Sequence, residues 1–353
     1  MSAAVAYAIA GVVCAVAGWL VPAVVMRALT PSLQGARFSG RNYRGRTVYL
    51  GLGLVWIVWA LSLMVASTGF DMVGALLTLD HSDYAIALFD GPLTIPLYGV
   101  PLMLVAVSVI LGFADDAFGS RGEKGFRGHL SALASGRLTT GGLKLLGIGM
   151  VAAVYAWSIA DGRSASSSGT LETLAVWVLA TLTIALSANL LNLMDLRPGR
   201  SLKTYTILAL IAAPLFAIDA SRAFAAYTAS LAEIGVVPWG AVDTWVTSAC
   251  MVLVLLGPVV AVWRYDLGEQ GMLGDAGSNA MGAIVGYLLA ASLSTVWLGI
   301  VVVVLFALNL LSERVSFSAA IERIVPLRAL DMLGRLSADE YVGGTEGSIG
   351  EDT

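Results

Sequence analysis

Four carboxylates stand where long apolar runs of the chain stop: Asp115 and Asp116 in LGFADDAFG, Asp195 in NLLNLMDLRPGR, and Asp275 in MLGDAGSNAMG. An ionisable side chain at a bilayer edge is costly, so its presence points to use. Asp115 and Asp116 are adjacent, and on a helix their side chains diverge by about 100°. They share one pocket only if the backbone turns, which the nearby Gly112 and Gly119 permit. Two carboxylates this close either raise one pKa or call for a cation. A hard divalent ion, Mg²⁺ or alternatively Mn²⁺, suits an oxygen donor set and keeps positions for phosphate and water. The plainer reading of the pair is a solvated span end.

The other stations carry similar pairs of readings. Asp275 lies in a Gly-flanked turn that leads into a helix, whose first N–H groups could face a phosphate with Ser278 as a further donor. Alternatively Asp275 or Ser278 caps that helix. Asn189, Asn192 and Asp195 recur at steps of three, close to one helix face, where they could hold a polar ligand; asparagines also bridge helices inside bundles. Arg197, Arg200 and Lys203 flank the Pro-Gly turn of LRPGRSLK and form either a cradle for phosphate oxygens or topology-setting charge. Lys144, one turn inside the helix of TTGGLKLLG, either snorkels to the headgroups or points inward at an anion.

The elements that must position these residues follow from composition. Of 353 residues 58% are hydrophobic and 12% charged, with mean hydropathy +0.84. That is more apolar surface than one soluble core buries, and it comes in runs of span length. The chain reads as an all-α polytopic membrane protein with about nine transmembrane helices. These lie near 3–26, 48–68, 95–113, 140–160, 172–189, 204–218 and 244–263, with two short ones across 279–311. Eighteen of the twenty Lys and Arg then fall on one face, with Arg163 and Arg222 on the other. The positive-inside rule makes the loaded face cytoplasmic, with the N-terminus outside and the C-terminus inside a plasma membrane. Counting 223–241 as a span would move Asp275 away from Asp116 and Asp195, so this stretch is expected to lie at the outer interface.

The first span has no basic n-region and no clear cleavage site, and is expected to be a retained helix. Cys14 and Cys250 fall in apolar runs and read as buried thiols. The segment 1–312 is expected to form the membrane domain, 313–335 a cytoplasmic basic amphipathic segment, and 336–353 a disordered acidic, Gly-rich tail. No nucleic-acid partner is expected. Acids, amides and cations at the ends of four helices on one face suit a metal-dependent reaction of phosphates at the lipid surface.

The order FADD, GGLKLLG, NLLNLMD and LGDAGS resembles the polyprenyl-phosphate N-acetylhexosamine-1-phosphate transferases, over about residues 40 to 290. The segment RNYRGRTVYLGLG is similar to the family's first basic loop. The resemblance implies an active-site cleft on the cytoplasmic face, where a polyprenyl phosphate attacks the β-phosphate of a UDP-sugar and UMP leaves. Carried over, Asp275 would be the main Mg²⁺ ligand with Asp116 close to the metal. Asp115 would serve the lipid phosphate, and Lys144 would face the phosphates. Asn189, Asn192 and Asp195 would line the nucleotide-sugar side, with Arg44, Arg46, Arg197, Arg200 and Ser278 as further substrate contacts. A homodimer is what the resemblance suggests.

The chain departs from the family in two places. The third motif continues as Asp195-Leu-Arg-Pro-Gly, so Pro198 stands where the family has a second, base-reading Asp. Clustered late histidines are also missing, since the chain has only His81 and His129. Besides the transferase, a scaffold that binds lipid phosphate or nucleotide is therefore a second reading. A transporter is a third; it would call for charges near the midplane or repeated halves, and no internal repeat is found.

Overall fold

Backbone polar groups in hydrocarbon must be satisfied within their own segment, which makes helices of the apolar runs. The computed structural model describes residues 3–35, 39–77, 101–119, 128, 132, 135–164, 169–233 and 244–336. Arg37, His81, Arg121, Lys124, Arg127, His129 and the tail from 337 lie outside the described residues.

The first helix, α1, runs Ala3–Gly35. It is followed by a hairpin of β1 (Ser39–Arg41) and β2 (Thr47–Tyr49) and a short 3-10 turn at Leu52–Leu54. The long helices continue as α2 (Val55–Leu77), α3 (Leu102–Phe118), α4 (Thr140–Ser164), α5 (Thr170–Met194), α6 (Arg200–Glu233), α7 (Thr244–Leu267), α8 (Gly274–Ser292) and α9 (Thr295–Ser312). Two short helices close the described chain, α10 (Phe317–Arg323) and α11 (Val325–Met332). Among the described residues six helices, α1, α4, α5, α6, α7 and α9, are long and apolar enough to cross a membrane. The chain is an all-α polytopic membrane protein with a small hairpin.

The hairpin corrects the start of the second expected span, 48–68. There Tyr49 instead donates its N–H to the Gln270 carbonyl (3.2 Å) and accepts from Met272 (2.9 Å), tying the hairpin to the α7–α8 connection. The loop expected from 27 is helical as far as Gly35. Helix α6 runs past the expected span 204–218 to Glu233, taking in the first part of the 223–241 stretch, because no Pro or Gly interrupts 215–233. The 279–311 stretch does divide in two, breaking at Leu293 and Ser294.

Helix α8 is the central post. Its small residues Ala276, Gly277, Ser278, Ala280, Gly282 and Ala283 are all buried, and small residues of this kind let helices approach closely. It packs on α5, α3 and α6. Met281 of this helix shares a core with Trp56, Trp59, Tyr205 and Leu255, all fully buried; the Trp59 indole N–H satisfies itself on the Val254 carbonyl at 2.9 Å. Large apolar side chains such as Trp157, Trp297, Val303 and Phe306 face outward, as a lipid-facing surface requires.

Candidate active site

Helices α3, α4, α5 and α8 bring four of the motifs together at one end of the bundle. Lys144 sits one turn into α4 and is only 6% exposed, which decides against snorkelling. Its ammonium lies 3.0 Å from Asp115 Oδ2 and also donates to Asp275 Oδ2. Thr140, four residues earlier and thus on the same helix face, donates to Asp115 Oδ1 at 2.6 Å. With its amide nitrogen turned toward Asp275, Asn192 donates to Asp275 Oδ1 (2.7 Å) and accepts from Lys144 (3.3 Å). The side chains of Asp115 and Asp275 keep 18% and 25% of their surface exposed, so a ligand can reach them.

No backbone turn is needed at Asp115 and Asp116, because α3 stays helical to Phe118 and uses their divergence. Asp115 faces α4. Asp116 faces the start of α8 and accepts from the N–H groups of Asp275 (3.0 Å) and Ala276 (3.2 Å). The first amides of α8 are therefore capped by a carboxylate from α3, which corrects both the phosphate reading and the reading of Asp275 or Ser278 as the cap. Gly274 is required here: its φ is +67°, and a Cβ would run into the Asp116 carboxylate. Ser278 is fully buried; its hydroxyl donates to the Gly274 carbonyl at 2.8 Å and lies 3.3 Å from the Asn192 side-chain amide.

Asp195 follows the last turn of α5, with its carboxylate toward the Gly274 N–H. Burial pushes its pKa well above the ordinary carboxylate range, and the charges of Asp266, Asp116 and Asp275 push the same way. Asp195 also lines a cavity of about 30 Å³ with Tyr43, Arg197, Pro198, Asp266 and Glu269. Within it Asp266 accepts from the Gly199 N–H (2.6 Å), and Glu269 accepts from Asn42 (2.7 Å) and pairs with Arg44 (3.4 Å).

Several expected site residues have other partners. Asn189 donates to Asn309 of α9 at 2.6 Å, the helix-bridging alternative. Arg44 and Arg46 belong to the hairpin, where Arg44 bonds the Tyr43 hydroxyl at 2.6 Å and the backbone N–H of Arg46 bonds Asn42 Oδ1 at 3.0 Å. Arg197 pairs with Glu322. Arg200 grips Asp331 through two bonds of 2.9 and 3.2 Å, and both side chains are 4% exposed. Lys203 donates to the carbonyls of Leu330 (2.9 Å) and Asp331 (2.7 Å). The 313–335 segment is thus a strap fastened over the α5–α6 turn, and the cations expected to cradle phosphate hold it down. Tyr43 joins hairpin, turn and strap, with the guanidiniums of Arg44, Arg197 and Arg335 at 5.3, 5.4 and 5.1 Å from its ring centre.

The strap has a pH signature. Burial acts to raise the Asp331 pKa, but bonds and charge from Arg200, Arg335 and Lys203 hold it below the usual carboxylate range. A lowered folded pKa means that the strap's docking is at full strength above the ordinary value near about 3.9. It weakens as pH falls through the lowered value. Amide exchange in 317–335, followed from pH 7 to pH 3, is expected to stay slow and then accelerate only at the acid end.

Sequence reading missed Thr140, Tyr43, Asp266 and Glu269. Thr140 was legible, since it stands four residues before Lys144. The buried acids at 266 and 269 carried no signal, lying outside every motif.

Four carboxylates, Asp115, Asp116, Asp195 and Asp275, thus gather at this end of the bundle, two of them on the Lys144 ammonium. A donor set made of oxygens alone fits a hard divalent cation. Among the described residues no three acidic, His or Cys side chains converge to hold an ion. A metal here would rest on two carboxylates and take its other oxygens from phosphate and water, which is the habit of Mg²⁺. Compared with known proteins, the chain matches no protein family and no curated protein.

Proposed function

We propose that the chain is a Mg²⁺-dependent phosphoglycosyltransferase, a divergent member of the polyprenyl-phosphate N-acetylhexosamine-1-phosphate transferases that serves cell-envelope polymer synthesis. In this reading nine helices among the described residues, α1 to α9, span the plasma membrane with the N-terminus outside, and the acid cluster opens to the cytoplasm. The observation that supports it best is the convergence of Asp115, Lys144, Asn192 and Asp275 from four helices far apart in the chain.

In the reaction an oxygen of the polyprenyl phosphate forms a bond to the β-phosphorus of a UDP-sugar. The bond from that phosphorus to the bridging oxygen breaks, and UMP departs with the oxygen. Lys144 supplies positive charge to the phosphates, while Thr140 fixes Asp115 so that its free lone pairs face the lipid phosphate and accept its proton when it carries one. Asn192 orients Asp275, and Asp116 fixes the helix start from which Asp275 projects. Asp275 and Asp116 would hold Mg²⁺, which when bound neutralises charge between the phosphates. Asp195, beside Tyr43 and Arg197, would line the nucleotide side.

A transfer assay with radiolabelled UDP-sugars, polyprenyl phosphate and Mg²⁺ tests this. Label is expected in the lipid phase with release of UMP, and Asp275→Asn is expected to abolish both while the protein still folds. Transfer retained in Asp275→Asn removes this residue from the metal site. No transfer with any UDP-sugar rejects the reading.

One observation favours a second reading, a scaffold that holds lipid phosphate: Arg197 and Arg200 are committed to the strap. It predicts that Asp115→Asn leaves the cellular phenotype intact and that deletion of 313–335 does not. The reverse pattern excludes it.

A further inference from the structure

Helices α1 and α7 cross where Gly18 meets Gly257; a Cβ on Gly257 would collide with the Gly18 carbonyl. The Trp19 indole donates to the Leu253 carbonyl beside this crossing. Beyond it the two helices stay within reach of each other, with Thr30 of α1 hydrogen-bonded to Tyr265 of α7. At 1.5 Å per residue, Arg27 stands about 13 Å past the crossing on α1 and Arg264 about 10 Å past it on α7. Two guanidiniums from different helices thus reach nearly the same depth, at the end of the bundle that carries the basic loops.

At these helix ends lies an open hollow of about 400 Å³ lined by Arg27, Thr30, Pro31, Arg264, Tyr265 and Gln270. Arg27 and Arg264 are both exposed. Arg264 is already oriented, since its guanidinium lies 4.6 Å from the Tyr265 ring centre and donates to that hydroxyl at 2.5 Å. Half of a hydrocarbon core is about 15 Å thick, so a crossing near mid-membrane puts both cations at headgroup level. Toward the crossing, Leu20 and Val24 on α1 and Leu253 and Val260 on α7 are exposed and apolar.

We propose that this hollow binds one anionic phospholipid, its phosphodiester between Arg27 and Arg264 and its acyl chains along the apolar faces of α1 and α7. Guanidinium is the side-chain group best matched to phosphate oxygens. The hollow is wide enough for a headgroup, and the apolar residues beyond it favour a lipid over a free phosphate. The site shares no residue with the acid cluster, so it does not depend on the transferase reading.

The full-length protein in neutral detergent, melted with added phosphatidylglycerol, phosphatidylcholine, glycerol 3-phosphate or inorganic phosphate, tests the site. Phosphatidylglycerol is expected to raise Tm by at least about 3 °C, and phosphatidylcholine is not. Arg27→Gln with Arg264→Gln is expected to abolish the rise, whereas Arg323→Gln with Arg328→Gln, at exposed strap positions, is expected to keep it. If the double variant at 27 and 264 does not fold, Arg27→Gln alone carries the comparison. A rise that persists without both arginines, or that the strap control loses equally, overturns the site. A rise reproduced by glycerol 3-phosphate or inorganic phosphate overturns the lipid assignment.

Discussion

Replacing Lys144 with methionine is expected to lower both the stability of the acid cluster and the activity that depends on it. The side chain keeps its length and loses its charge, leaving Asp115 and Asp275 facing each other without the ammonium that joins them. Breaking a largely buried pair by removing one partner costs about 3–5 kcal/mol, so a clear drop in Tm is expected. On the proposed function, transfer falls by about 10²–10³-fold, the usual cost of losing one charge-stabilising donor. Mg²⁺ is expected to raise the Tm of Lys144→Met more than that of the unaltered protein, because a divalent ion partly replaces the missing charge. An unchanged Tm with unchanged Mg²⁺ response would remove Lys144 from the centre of the cluster.

The second large effect is expected at the strap. Asp331→Ala leaves Arg200 buried without its carboxylate, again at about 3–5 kcal/mol. A segment of two short helices has few contacts with which to absorb that cost, so the strap is expected to detach. Hydrogen exchange in 317–335 would then become fast while the long helices of the bundle stay protected. Replacing both partners, Arg200→Met with Asp331→Leu, removes one of the two guanidiniums that Asp331 pairs, Arg335 being the other at 2.9 Å, and is expected to restore only part of the docking. Continued slow exchange in Asp331→Ala would show that the remaining fastenings, Arg197 on Glu322, Arg200 on Ser318, Lys203 and Tyr43, suffice to hold the strap.

How far the arrangement could be read from sequence depends on where each partner lies. The helices were legible because apolar runs announce themselves, and the acids were legible because they interrupt those runs. Asn189 and Asn192 show the limit. They sit three residues apart on nearly one face of α5, yet one meets α9 and the other the acid cluster. Periodicity gives the face and says nothing of which helix is opposite. Arg200 was read as a phosphate ligand because its partner Asp331 is 131 positions away and looks like an ordinary residue of a polar segment. The roles of Asp115 and Asp116 were separable in principle from their divergence of about 100°, but which of them would cap α8 depended on how close α3 comes to that helix start.

The Asp116 cap also bears on the order of assembly. It joins residues 159 positions apart, so a chain emerging from its N-terminus inserts α3 and α4 long before α8 exists. Until then Asp116 lacks the α8 amides it accepts from, and Asp115 and Lys144 have each other, Thr140 and Asn192 but not Asp275. The cluster is therefore completed late, once α8 has joined the bundle and with only α9 and the strap to follow. A nascent chain stopped before Gly274 would contain three of the four helices that build it, with the post around which they close still missing.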